Sequence, residues 1–211
     1  MNWNNYRTDK ESLHTYQAIY QSFFPTEESR RSVGSVLEIG VQRGGSMRLW
    51  ADFFPEAEIH GIDNDQRTLP LARKINASHP RIHIHDVDAS LSGNMEVWAY
   101  AEKLDGFDVI IDDGSHRMQD QEQALLFAAE YAKRLFVVED LHTSRMNSRQ
   151  YGIIPGRDTF LQLCEKYPDL KSIRPVSLTS DELKQVWEAF PSVKIHRGRV
   201  SEIAFFKTES K

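Results

Sequence analysis

The sequence is 211 residues long, 40% hydrophobic and 27% charged, with a formal net charge of −5. That length and composition suit one α/β domain and exclude wholesale disorder. The acidic balance offers no electrostatic footprint for nucleic acid, and no apolar run approaches the ~20 residues that span a bilayer, so neither partner is expected.

The first 32 residues read as an N-terminal arm and helix. Met1 to Ser12 is polar, with two aromatics, Trp3 and Tyr6, and no signal-peptide pattern. Leu13, Tyr16, Ile19, Tyr20, Phe23 and Phe24 recur at helical spacing up to Pro25, which predicts a packing helix. Thr26 to Ser32 reads as a charged connection, and residues 33–211 as the main fold.

Ser35 to Ile39 is the first expected strand. It runs into Gly40-Val41-Gln42-Arg43-Gly44-Gly45-Ser46 and then a helix to Phe54. A buried strand, a glycine-rich turn and a helix make a nucleotide-like site, because glycine lets backbone approach a ligand closely. The spacing is not Gly-x-Gly-x-x-Gly, the pyrophosphate fingerprint. Glu38, two residues before Gly40, suits an amino-acid-bearing nucleoside better. Glu38, Gly40, Gly44 and Ser46 are therefore candidate cofactor contacts. Glu58 to Asp63 is the second strand, and its terminal Asp63 lies where such folds place an acceptor for ribose hydroxyls. Leu69 to Ile75 reads as a helix with Pro70 in its first turn. Arg81 to His85 is the third strand, followed by Asp86 and Asp88, either of which suits an adenine amino group. Met95 to Leu104 reads as a helix with Val97, Trp98, Ala101 and Leu104 on one face.

The most informative stretches are Phe107-Asp108-Val109-Ile110-Ile111-Asp112-Asp113-Gly114-Ser115-His116 and Leu135-Phe136-Val137-Val138-Glu139-Asp140-Leu141-His142. Each is a short apolar run that stops in acid and then histidine, as buried parallel strands do at their ends. Arg117 to Arg134 between them has the length of a crossover helix, which makes the two strands neighbours or near neighbours. Asp112, Asp113, His116, Glu139, Asp140 and His142 then emerge together at the carboxyl edge, where open α/β sheets bind ligands. Four converging carboxylates repel one another unless a cation joins them. A hard divalent ion such as Mg²⁺ fits oxygen donors, and Mn²⁺ equally accepts carboxylates. Acids that merely cap helices and face water are the plainer alternative.

Thr143 to Arg157 is a long polar loop of the kind that forms lids or substrate contacts. A helix from Asp158 or Thr159 through Tyr167 holds the only cysteine, Cys164, as a buried thiol. A lone cysteine rules out an internal disulfide and suits a reducing, cytoplasmic setting. Thr179 with Glu182 forms a capping-box pattern ahead of Leu183, Val186, Trp187 and Phe190. Val193 to His196 and Val200 to Phe206 read as an antiparallel hairpin on the sheet edge.

With these residues laid out, the sequence resembles the class I S-adenosylmethionine-dependent methyltransferases. More narrowly, it resembles the metal-dependent sugar O-methyltransferases of the macrocin and mycinamicin type and their cephalosporin hydroxylase-like relatives. The resemblance rests on Leu37-Glu38-Ile39-Gly40-Val41 with Gly44-Gly45-Ser46, on Gly61-Ile62-Asp63, on Ile111 to His116, and on Val138 to Ser144. Thr8-Asp9-Lys10 with His14 and Tyr16 also resembles the arm that helps close such sites. It implies a Rossmann-like, doubly wound, mostly parallel sheet with a C-terminal antiparallel strand and an N-terminal helical arm. It implies S-adenosylmethionine as methyl donor and Mg²⁺ (or Mn²⁺) held by Asp113, Glu139 and Asp140. His116 is then the general base, with His142 a second candidate that could instead orient Asp140. Asp112 lines the cofactor pocket or supports the metal ligands. The acceptor is a hydroxyl of a sugar or glycosylated small molecule in natural-product or polysaccharide biosynthesis. The resemblance and an aromatic arm expected to be exposed raise a homo-oligomer. Arg7 and the pair Arg145-Met146 depart from the family pattern, which bears on the acceptor. A non-catalytic S-adenosylmethionine-binding or scaffolding protein is the competing reading, and an NAD-type oxidoreductase lacks its glycine fingerprint.

Overall fold

The computed structural model describes residues 1–146 and 149–209. Among the described residues seven strands form one sheet: β1 (Ser35–Ile39), β2 (Glu58–Asp63), β3 (Ile82–Asp86), β4 (Phe107–Asp112), β5 (Ala132–Val138), β6 (Ser192–Arg197) and β7 (Glu202–Lys207). Their order is β3-β2-β1-β4-β5-β7-β6. The first five run parallel, and β7 pairs antiparallel with both β5 and β6. The chain turns back at β1, which has β2 on one side and β4 on the other. A crevice opens at such a reversal of strand order.

Helices cover both faces, because five parallel strands need crossovers. They are α1 (Asp9–Ser12), α2 (Gln17–Phe23), α3 (Glu27–Arg31), α4 (Gly45–Phe53), α5 (Leu69–Asn76), α6 (Asn94–Ala101), α7 (Met118–Tyr131), α8 (Phe160–Lys166) and α9 (Ser180–Ala189). Alternation along β1 sends Leu37 and Ile39 into one apolar layer with Phe136 and Phe206, and Val36 into the other with Trp50 and Tyr20. Among the described residues no helix is long and apolar enough to cross a membrane.

Several expectations need correction. The expected arm helix begins later, as α2 at Gln17, and the polar stretch before it holds a further short helix, α1; Thr15, with a left-handed φ of 62°, separates the two. Residues 26–32 are not a plain connection, because Thr26 and Ser29 close a reciprocal capping box on α3. The arm's aromatics are not exposed: Trp3 is fully buried against Tyr20, Trp50 and Phe53, and the Tyr6 hydroxyl donates to Asp52. Val97 and Trp187 point to solvent, at 69% and 42% exposure, although their helices pack through Trp98 and Val186. The C-terminal hairpin is antiparallel as expected, and β6 rather than β7 forms the edge. Cys164 is buried, and Thr179 and Glu182 form the expected cap.

Candidate functional site

Parallel-ladder hydrogen bonds carry past the strand ends and hold the junctions level. Gly40 N–H donates to Ile62 O, Asp113 N–H to Ile39 O, and Glu139 N–H to Asp112 O, each at 2.9 Å. The ends of β1, β2, β4 and β5 thus form one rim. Gly40 is required there: its φ is 92°, and a Cβ would sit 2.2 Å from the Asp113 carbonyl oxygen. Above the rim lies an open cavity of about 1240 Å³. Gly40, Ser46, Asp63, Asp88, Asp112, Asp113, His116 and Asp140 line it, together with Tyr6 to Asp9 of the arm.

Asp113, His116 and Asp140 converge, offering one ligand atom each within 4.8 Å of one another. His116 Nε2 lies 3.9 Å from Asp140 Oδ2. His116 and Asp140 both hold left-handed backbone, with φ of 57° and 58°. Such strain persists only where the surroundings fix it, and it clusters at working sites.

Glu139 is next in chain to Asp140 but lies deeper. Its Oε2 accepts from Lys10 Nζ at 2.7 Å and its Oε1 from the Tyr20 hydroxyl at 2.6 Å. Burial pushes its carboxyl up, and the neighbouring ammonium works the other way. At this separation we read Lys10 and Glu139 as an ion pair. Lys10 is itself buried and also reaches Asp113 Oδ2 at 2.6 Å and Glu38 Oε1 at 3.3 Å. Burial opposes its charge, but Asp113, Glu139 and Glu38 together more than offset that and hold its pKa well above the ordinary value.

The arm brings Tyr20, which the sequence left as a packing residue, to the acids beside the Lys10, His14 and Tyr16 that its resemblance singled out. The Tyr16 hydroxyl donates to Asp140 Oδ1 at 2.9 Å, one helical turn from Tyr20 on Glu139. His14 Nδ1 lies 3.2 Å from the same Asp140 oxygen, and its pKa is raised: burial opposes, while Asp9 and Asp140 prevail. Tyrosines in an apolar rhythm look like packing residues, so only the spacing of Tyr16 and Tyr20 could have signalled a pair of hydroxyls on one face.

The expected cofactor contacts divide into two groups. Asp63 Oδ2 accepts from Val41 N–H at 2.9 Å and Gln42 N–H at 2.7 Å, so it shapes the glycine turn as well as lining the cavity. Asp112 is 5% exposed; one oxygen accepts from Gly114 N–H at 3.2 Å and the other has no partner among the described residues. Burial pushes its carboxyl up to about 7. Asp88 lines the cavity and accepts from Ser90. Glu38, Gly44 and Asp86 stand off the cavity wall, and so does His142, the second candidate base. Glu38 is fully buried and accepts from Ser46 Oγ at 2.5 Å and Trp50 Nε1 at 2.8 Å. Asp86 accepts from Gln66 at 2.7 Å, and Gly44 is the left-handed N-cap of α4. His142 Nδ1 pairs with Ser201 Oγ at 2.9 Å, and burial lowers its pKa.

No family model matches the chain. Over 65% of its length it is 33% identical to the 8-demethyl-8-alpha-L-rhamnosyl tetracenomycin-C 2'-O-methyltransferase of Streptomyces olivaceus, of which the match covers 36%. Over 63% it is 30% identical to the mycinamicin VI 2''-O-methyltransferase of Micromonospora griseorubida, 33% of which is covered. The chain thus spans about a third of the length of these curated relatives. Among solved structures, the MycE methyltransferase of the mycinamycin biosynthetic pathway in complex with Mg and SAH aligns with a TM-score of 0.61 at 23% identity, over 99% of this chain and 49% of that one. A putative caffeoyl-CoA O-methyltransferase from Staphylococcus aureus aligns with a TM-score of 0.54 at 11% identity, over 98% of this chain and 87% of that one.

Proposed function

We propose that this chain, a relative of the macrocin- and mycinamicin-type sugar O-methyltransferases with the class I methyltransferase fold, is itself an S-adenosylmethionine-dependent O-methyltransferase. Its acceptor is a hydroxyl of a sugar or glycosylated small molecule, and it uses a divalent ion. One observation carries this reading: the Asp113–His116–Asp140 group stands on the wall of the same cavity as Gly40, Asp63, Asp88 and Asp112. Chemistry that joins a nucleoside cofactor to a metal-bound hydroxyl needs both donor sets within one cavity.

The residues fit both groups. Asp112 offers a buried oxygen without a partner among the described residues at the expected cofactor end, and the acids just after β4 and β5 offer hard oxygen donors at the other. Asp113, Glu139 and Asp140 would hold Mg²⁺ or Mn²⁺, with Glu139 at present paired to Lys10. Such an ion lowers the pKa of a hydroxyl it coordinates. S-adenosylmethionine supplies a methyl group on a sulfonium.

What remains is done by the chain. His116 takes the acceptor's proton, a role in which histidine is effective near neutral pH and typically worth 10²–10⁴-fold. Tyr16 and Tyr20 fix the two carboxylates, and the arm residues Tyr6 to Asp9 form part of the cavity wall. No nucleophilic side chain is needed, which agrees with Cys164 being buried in α8.

The test is calorimetric titration of S-adenosylhomocysteine into the full chain, then of Mg²⁺ into wild type and Asp113→Ala, followed by label transfer from S-adenosylmethionine onto a panel of glycosides. Cofactor binding, a metal response abolished by the substitution, and transfer to at least one glycoside support the reading. Absence of cofactor binding overturns it.

A further inference from the structure

The acid cluster already contains a cation. Lys10, Glu38 and Glu139 are each no more than 1% exposed, so their charges must neutralise one another rather than be solvated. An ammonium has three donors, and Lys10 faces three carboxylates: Asp113 at 2.6 Å, Glu139 at 2.7 Å and Glu38 at 3.3 Å. Its place is built from several sides. Thr8 caps α1, the ammonium sits 5.4 Å from the centre of the Trp50 ring, and the arm crosses α4 where a Cβ on Gly45 would lie 2.0 Å from the Arg7 carbonyl oxygen.

Asp113 belongs to both arrangements, the lysine trio and the group with His116 and Asp140. We propose that Lys10 is the resident cation of the acid cluster and a competitor of the divalent ion for Asp113 and Glu139. The proposal rests on the metal-dependent reading given above. One ammonium against Glu38, Asp113, Glu139 and Asp140 keeps the cluster assembled without metal. It also leaves excess negative charge that still draws a divalent ion. The like charge so close to that ion holds its affinity down, so the ion can exchange between turnovers while the buried acids stay in place.

Lys10→Met keeps the length and removes the charge. With the full chain saturated with S-adenosylhomocysteine, Mg²⁺ affinity and melting temperature are measured for wild type and K10M. The metal-free variant should melt about 5–10 °C lower, since one partner of a buried pair is gone, and Mg²⁺ should restore most of that loss. Its Mg²⁺ dissociation constant should be at least ~10-fold smaller than that of wild type, from the lost like-charge repulsion. A purely structural prop would lower the melting temperature and leave Mg²⁺ affinity unchanged or weaker, and either result overturns the proposal. A second measurement uses wild type alone, in case K10M does not fold. The ¹⁵Nζ resonance of Lys10 should move or broaden as Mg²⁺ saturates, and a resonance that stays unmoved under saturating Mg²⁺ overturns the proposal. Mg²⁺ binding by wild type without tightening in K10M rejects this inference and spares the metal reading. No Mg²⁺ binding by either protein rejects both.

Discussion

Tyr16 and Asp140 stand 124 residues apart in sequence and clasp each other twice. The hydroxyl donates to Asp140 Oδ1 at 2.9 Å, and the Asp140 backbone N–H donates back to the hydroxyl oxygen at 3.3 Å. That clasp holds a residue with left-handed backbone on the rim of the cavity. The arm is therefore part of the site and not a cover over it.

Tyr16→Phe removes the hydroxyl and leaves the ring stacked on His14. Losing a partner that orients a metal ligand typically costs 10–100-fold in metal affinity or activity. We expect Mg²⁺ binding about 10-fold weaker by calorimetry and a stability loss of about 1–2 kcal/mol by urea denaturation. Cofactor affinity should stay within about twofold, because Tyr16 does not line the cavity. Unaltered Mg²⁺ affinity would show that Asp140 is held without the arm.

His116→Ala tests the proposed base apart from the proposed ligands. If His116 only takes a proton, S-adenosylhomocysteine and Mg²⁺ should bind as in wild type while kcat falls by about 10²–10⁴. Loss of Mg²⁺ binding would reassign the imidazole as a third ligand beside Asp113 and Asp140, a role its position also permits. In that event the base has to be sought at His14 or His142.

The ends of β4 and β5 were legible because each is a short apolar run that stops in acid, a pattern the sheet imposes locally. Glu38 shows how far spacing alone reaches. It looks like a cofactor contact by its distance from Gly40, but alternation along β1 turns it towards Trp50 and the arm. Lys10 and Tyr16 were legible only through the resemblance of the arm, and Tyr20 not at all, since their partners lie 103 to 129 residues away and no local rhythm encodes such pairs. His142 shares its strand end with Asp140, yet the turn at Leu141–Arg145 carries its ring to Ser201.

Glu122 makes a prediction remote from the cavity. This buried carboxylate on α7 accepts from the N–H groups of Val176, Ser177 and Leu178 and from the Ser177 hydroxyl, at 2.6–3.1 Å. It is the anchor of the segment that leads into α9. Glu122→Ala leaves those donors, of which only the Leu178 N–H is fully buried, without their acceptor, at a cost of about 1–3 kcal/mol in urea unfolding. S-adenosylhomocysteine affinity of the folded variant should not change, and a shift in it would mean that the α9 segment is coupled to the site.

The last prediction concerns acid stability. His60 on β2 packs between His83 and His85 of β3, with ring centres 5.0 and 5.7 Å away, and against Trp98 and Phe107. Burial, and then the neighbouring His83 and His85, push its pKa down to about 4 against only a small opposing pull from Glu58. The unfolded chain takes up this proton near pH 6.5, whereas the folded chain refuses it until about pH 4. Between those values the unfolded state binds more protons, so stability falls as pH falls. Above pH 6.5 the contribution is complete, and below about pH 4 the loss levels off. Discounted for partial exposure, the term is about 1–2 kcal/mol. His60→Phe fills the same aromatic niche without a proton to refuse. Urea midpoints for wild type and His60→Phe at pH 7, 5.5 and 4.5 isolate the term, because carboxylates that titrate in the same range cancel in the difference. We expect the variant to gain about 1–2 kcal/mol on wild type between pH 7 and 4.5. A difference that stays constant over that range would mean the His60 proton is accepted in the folded state, by opening of the β2–β3 edge.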